Sequence, residues 1–255
     1  MRYEILSYHR ENRVMTINLH DNGTSYADPA HVANELNELC HDIYPDPEIQ
    51  VVVISLEQTG PPKKLNLSQT VLNTDPGRDN PLSWAGPVSK LDIPVIMSIN
   101  GYALGQAMEL ALACDMRVAS FDSFFGLPHI NEDIIPWDGG TQRLSRLIGK
   151  SNTMEMILTG QTINGEEALR MGLINQLIEA ETLLPKVMEM ALKMADKGPI
   201  ALKYTKEVVQ KGMDLTMDQA LNLEADLYFL LHTSLDRTEG IKAFQEKRKA
   251  RFKGE

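Results

Sequence analysis

Two runs in the first hundred residues, IQVVVISL at 49–56 and IPVIMSI at 93–99, are apolar almost without interruption. A strand with one wet face alternates polar and apolar residues. A run that does not alternate belongs to a strand buried on both faces, as in a parallel sheet covered on each side. The second run passes through Asn100-Gly101 into ALGQAMELALACD, a short helix ending near Cys114-Asp115, and MRVAS at 116–120 forms a further short strand. Strand, turn, helix and strand occur twice in the first 150 residues, which predicts a repeated β/β/α unit although no sequence repeat is visible.

The flanking segments fit an α/β core. Residues 2–8 and 13–19 alternate well enough for a β-hairpin around HREN. In PAHVANELNELCHDI, Val32, Leu36, Leu39 and Ile43 recur at helical spacing, with Asp28 placed as N-cap and Pro29 at the first helical position. The segment 57–86 is long and rich in Gly, Pro and polar residues, and a loop of that length inside a compact domain is usually functional. From residue 142 onward the pattern is helical, with Gly or Asn closing most segments. The expected organisation is an α/β core over 1–195 followed by a helical region over 196–255.

The chain of 255 residues carries a net charge of −10. That balance argues against non-specific binding to nucleic acid or to an anionic membrane, both of which need a basic surface. The N-terminus lacks the apolar core of a signal peptide, and no stretch approaches the roughly 18 uninterrupted apolar residues of a membrane span. Cys40 and Cys114 lie inside apolar runs and read as reduced core residues, so a cytoplasmic location is expected. The methionines from Met154 onward read as adaptable core or subunit-interface filler, with no metal implied.

Two stretches carry candidate chemistry. Asn100–Glu109 runs from a buried strand into a helix through Gly101 and Gly105; the free amides at such a helix start can stabilise an oxyanion. Glu109 then sits one turn in among apolar neighbours, either as an acid/base group or as a first-turn glutamate favoured by the helix dipole. The second stretch, FGLPHINEDIIPWDGGTQR at 125–143, gathers His129, Glu132, Asp133 and Asp138. It is either a working site or the polar edge of a loop capping the next helix.

IPVIMSINGYALGQAMELALACDMRVAS resembles the central motif of the crotonase superfamily, the enoyl-CoA hydratase/isomerase family. FFGLPHINEDIIPWDGGTQRLSRLIG resembles the family's next block, F-G-x-P-E-x-x-x-G-x-x-P-G-x-G-G-T-Q-R. LTGQTINGEEALRMGLINQLI and RTEGIKAFQEKRKARF resemble its two C-terminal signatures, in the usual order and over nearly the whole chain. The resemblance implies an α/β fold, a crotonase-like spiral of ββα units with a helical C-terminal trimerisation region. It also implies an acyl-CoA thioester ligand, a homo-oligomer (trimer or dimer of trimers), and no cofactor beyond the coenzyme A of the substrate. The shared chemistry is an enolate held by two backbone N–H groups.

Carried over residue by residue, the second oxyanion donor is the N–H of Gln106, where the family commonly has Gly. The first falls on Asn66 or Leu67 within PPKKLNLSQ, which stands in place of the family's A-G-x-D motif. The first of the two hydratase glutamates matches Glu109, and the second matches His129. Imidazole titrates near neutral pH and can serve as an acid/base, or it can simply bond loop backbone. Asp133 and Trp137 replace family glycines on the pocket floor, while Glu132 and Asp138 flank the helix start at Gly139-Gly140 in a capping role. Asp115 is read as structural.

Ser25, Ala27, Leu65 and Ser68, together with Tyr102, Leu104, Gly105 and Pro128, are carried over as acyl-CoA contacts. Lys63, Lys64, Lys247, Arg248, Phe252 and Lys253 are candidates for the coenzyme A phosphates and adenylate end. The expected reaction is reversible hydration of a 2-enoyl-CoA. Double-bond isomerisation, decarboxylation or hydrolysis on the same fold, and a non-catalytic acyl-CoA-binding oligomer, are the alternatives.

Overall fold

The computed structural model describes residues 3–20, 29–58 and 82–255. A hairpin of β1 (Leu6–Glu11) and β2 (Val14–His20) leads to α1 (Pro29–Ile43), β3 (Val51–Glu57) and the short α2 (Ala85–Ser89). Next come β4 (Val95–Asn100), β5 (Tyr102–Leu104), α3 (Gln106–Ala113), β6 (Met116–Ser120) and β7 (Phe124–Gly126). After a 3-10 turn at Pro128–Glu132 follow α4 (Gly140–Thr159), β8 (Thr162–Asn164), α5 (Gly165–Met171), β9 (Gln176–Ile178) and α6 (Ala180–Ala195). The chain ends in α7 (Pro199–Gly212), α8 (Met217–His232) and α9 (Leu235–Gln245).

The strands form two sheets. The larger has the order β1-β2-β3-β4-β6-β9, antiparallel only at the hairpin, and the smaller has the order β5-β7-β8. Within each unit the first strand joins the large sheet and the second joins the small one: β4 then β5, β6 then β7. This is the expected ββα arrangement. The missing alternation in β3 also has its cause here. Val52, Ile54 and Leu56 face a core shared with α1, α2 and α3, whereas Val51 and Val53 face a second core lined by Leu183, Val187 and Ala191 of α6.

The hairpin turn lies at Asn12-Arg13, with Asn12 at φ 53°, and α1 has the bounds expected from its periodicity. Four short strands were not anticipated. Ala103 and Leu104, expected to open the helix, belong with Tyr102 to β5, and α3 starts only at Gln106; Phe124–Gly126 pairs with β5 as β7. Thr162–Asn164 and Gln176–Ile178, which fall between the helical segments read from the sequence, are β8 and β9. Three residues are too few to display a period, so pairing with a neighbouring strand decides their conformation. Gly149, at φ 80° and ψ 163°, breaks α4 into two helices.

Polar groups fasten the site helix α3 to the sheet. Arg117, 5% exposed on β6, donates to the carbonyls of Ala111, Cys114 and Leu173 at 3.2, 2.7 and 2.7 Å, closing the C-terminal end of α3. A cation there complements the negative end of the helix. Asp115 is structural, as expected: it accepts from Val95 N–H and from Lys206 Nζ of α7, both at 2.7 Å. Beyond Ala195 neither core gains a described residue; α7 buries no apolar residue, and α8 and α9 leave Tyr228, Phe229, Leu230 and Phe244 exposed.

Replacing the Arg117 guanidinium strands the buried carbonyls of Cys114 and Leu173, while Ala111 O keeps the Cys114 N–H. Arg117→Leu is expected to lower unfolding stability by on the order of 3 kcal/mol, read from the shift in a urea unfolding midpoint. An unshifted midpoint contradicts the clamp.

Candidate active site

The site forms where the chain leaves the large sheet for the small one. Strand β4 ends at Asn100, and Gly101 turns with φ 98° against the carbonyl oxygen of Gln58, which would lie 2.1 Å from a Cβ. No other residue fits that approach. Gly105, at φ 58°, donates its N–H to Gly126 O of β7 at 3.1 Å and opens α3. Gln106 is the first residue of that helix, so no carbonyl four residues back in the helix accepts its N–H. Its side chain is buried and donates through Nε2 to Leu82 O at 2.8 Å.

Glu109 is 0% exposed. Its Oε1 accepts from the N–H groups of Asp138 and Gly140, each at 2.8 Å. Glu109 is therefore held by the start of α4, in addition to lying in the first turn of its own helix. The approach requires glycine at 140, since a Cβ there would lie 2.9 Å from Glu109 Oε1 and 3.0 Å from both Leu127 and Pro136. The capping role expected for Asp138 is corrected by the same geometry. Its carboxylate turns away from α4 and accepts from Ser83 Oγ and from the N–H groups of Trp84 and Ala85, at the start of α2. Burial, opposed by these hydrogen bonds and reinforced by the charge of Glu109, holds the Asp138 carboxyl above the usual range. Glu132 closes the 3-10 turn.

His129 sits on the 3-10 turn, 0% exposed, with Nε2 3.6 Å from Glu109 Oε2. That is an approach of the two groups and too long for a hydrogen bond. Trp137 packs against the imidazole, with ring centroids 5.1 Å apart and planes at 88°. Among the described residues, Glu109 Oε2, both ring nitrogens of His129 and Trp137 Nε1 are buried without a hydrogen-bond partner. The alternative of a histidine that bonds loop backbone is thus not realised. Buried polar atoms are nearly always paired, so four of them together mark a place that the described residues leave open for a partner.

The other candidates divide. Tyr102, stacked on Phe124 at 5.2 Å, lies with Leu104 on β5, leading into Gly105, and Pro128 directly precedes His129. Asp133 is exposed at φ 57°, the left-handed end of the 3-10 turn, which accounts for glycine as the expected residue there. Phe252 and Lys253 lie by the N-terminal ends of β2 and β3, where Arg13 Nη2 donates to Phe252 O at 2.9 Å, whereas Glu109 follows the C-terminal end of β4. One chain does not bring them to Glu109. Lys247 is exposed, and Arg248 pairs with Glu239 and Glu246. Ser25, Ala27, Lys63, Lys64, Leu65, Asn66, Leu67 and Ser68 lie outside the described residues. Sequence inspection missed Ser83 and Trp84 as part of the site's support, since only the fold brings them to Asp138.

Overpacking at Gly140 tests the carboxylate seat. Gly140→Ala is expected to cost about 1–3 kcal/mol, measured by chemical denaturation; a neutral substitution contradicts the close approach.

Residues 67–255 match the family model described as enoyl-CoA hydratase/isomerase. A crotonyl-CoA hydratase of Syntrophomonas wolfei is 41% identical over 65% of this chain and 64% of its own length. A short-chain-enoyl-CoA hydratase of Clostridium acetobutylicum is 40% identical over 62% of this chain and 61% of its own length. The chain thus spans less than two thirds of either curated relative. Among solved structures, an enoyl-CoA hydratase from Bacillus anthracis superposes with a TM-score of 0.89 at 32% identity, covering 99% of this chain and 100% of that one. Another, from Geobacillus kaustophilus, gives 0.89 at 31% identity over the full length of both. With its ββα spiral, its Gly-opened helix α3 and its sequence match over most of its length, the chain belongs to the enoyl-CoA hydratase/isomerase family of the crotonase superfamily.

Proposed function

We propose that this protein adds water reversibly across the 2,3 double bond of an enoyl-CoA thioester. The observation that carries this is the state of Glu109: fully buried, one oxygen pinned by two amides, the other free and facing His129. A carboxylate so held keeps one basic lone pair in a fixed direction, which general acid/base catalysis requires. In the proposed reaction, water is held from one side by both Glu109 Oε2 and His129. Its oxygen attacks the β carbon as a proton passes to the Glu109–His129 pair. The electron pair of the double bond moves through the α carbon onto the thioester oxygen, where the Gln106 N–H and a second donor at Asn66 or Leu67 hold the enolate. A proton returned to the α carbon completes the 3-hydroxyacyl-CoA. No electrons are exchanged overall, so this chemistry calls for no cofactor beyond the coenzyme A of the substrate.

The exposed apolar faces of α8 and α9 support a homo-oligomer, proposed as a trimer or dimer of trimers through the region 196–255. Light scattering is expected to give three or six times the chain mass of 28.5 kDa. Phe229→Asp, at a position 70% exposed in the single chain, should shift the population to smaller species; a monomeric wild-type protein contradicts the proposal. No described helix is long and apolar enough to cross a membrane. Burial pushes the thiols of Cys40 and Cys114 up to about 12, and both are unpaired, which suits the proposed cytoplasmic location.

Loss of the conjugated thioester absorbance of crotonyl-CoA tests the reaction directly. Wild-type protein is expected to remove it, and Glu109→Gln to lower kcat by roughly 10²–10⁴-fold while the fold persists. No absorbance change with wild-type protein at any concentration sinks the hydratase assignment.

A further inference from the structure

We propose that Trp137 is a positioning residue for His129, and that the two departures from the family pattern, histidine for glutamate and tryptophan for glycine, act as one coupled unit. The inference rests on the assignment of His129 as the second acid/base group. A buried imidazole ordinarily has its ring plane and tautomer set by a hydrogen bond at one nitrogen. His129 has none at either nitrogen, and Glu109 Oε2 stands at 3.6 Å from its Nε2. The aromatic contact on the ring is the indole of Trp137, edge to face at 5.1 Å and 88°. That is the arrangement aromatic quadrupoles favour, and it resists rotation of either ring.

Trp137 is itself well held. Pro136 before it is buried, and Asp138 after it is fixed through both its N–H to Glu109 and its carboxylate to Trp84 and Ala85. The backbone on either side therefore cannot carry the indole away. Packing is one of the means by which a functional rotamer is locked. Glycine at 137 would leave the imidazole free to turn away from Glu109. The pairing also has an electrostatic reason. Glu109 and Asp138 already place two carboxyl groups in this corner close enough to affect one another. An imidazole at 129 supplies a proton-transfer group without adding a third carboxylate.

The test has one arm without turnover and one with it. Ring ¹⁵N shifts of histidine-labelled protein report which His129 nitrogen carries the proton, and the signal is assigned by its loss in His129→Gln. In neutral-to-alkaline buffer, wild-type protein is expected to show one dominant tautomer. Trp137→Phe should keep it, and Trp137→Gly should give averaged shifts. In the kinetic arm, Trp137→Gly should lower kcat by about 10–100-fold with little change in KM, and Trp137→Phe should recover most of the loss. Trp137→Leu, which retains apolar volume, replaces the glycine variant if that one fails to fold, with an intermediate loss expected. A double-mutant cycle of Trp137→Gly with His129→Gln should be strongly non-additive. Unchanged ring shifts in Trp137→Gly, an additive cycle, or a rise in KM at constant kcat each overturn the proposal. A wild-type protein that hydrates nothing overturns the hydratase assignment instead, and the nitrogen shifts still decide the positioning role.

Discussion

Seating a carboxylate in a dry interior is the constraint on which the rest of this site depends. An unpaired buried carboxylate is costly enough to protonate or to expel itself. At Glu109 the start of α4 presents two N–H groups to one of the carboxyl oxygens, where the helix dipole also favours negative charge. Much local sequence serves that contact. Gly140 has no Cβ to block it, Gly139 takes φ 96° so that the chain can enter the helix, and Asp138 spends its own carboxylate elsewhere. Because only Oε1 is consumed, Oε2 remains directed at His129.

The large sheet supplies the rigidity this seat needs. Its central strands are buried on both faces, between the core under α1–α3 and the core under α6. Helix α3 is tied to it at both ends: Gly101 and Gly105 make the turn at the start, and Arg117 gathers the carbonyls at the finish. The small sheet then joins the two halves of the site, since Tyr102–Leu104 leads into Glu109 and its partner Phe124–Gly126 leads into His129. Two groups twenty positions apart in sequence thus meet through one strand pair.

How much of this was legible depended on how local the cause was. Helix α1 follows from its apolar spacing, and the two-sided burial of β3 from its lack of alternation. The family motifs single out Glu109 and His129, and the fold sets His129 Nε2 3.6 Å from Glu109 Oε2. Strands β8 and β9 were not legible, because three-residue segments take their conformation from a neighbour. Asp138 illustrates the limit best. Its position beside Gly139-Gly140 suggested a cap for α4, yet its carboxylate serves α2, more than fifty residues earlier.

The residue order alone settled the family, the α/β class, and the identity of Glu109 and His129 as candidates, because motif order and apolar periodicity are properties of the chain. Folding decided the direction of each side chain: which oxygen of Glu109 is left free, which helix Asp138 caps, and that Trp137 packs on the ring of His129. Those outcomes depend on distances of a few ångströms between segments remote in sequence, and no local pattern encodes them.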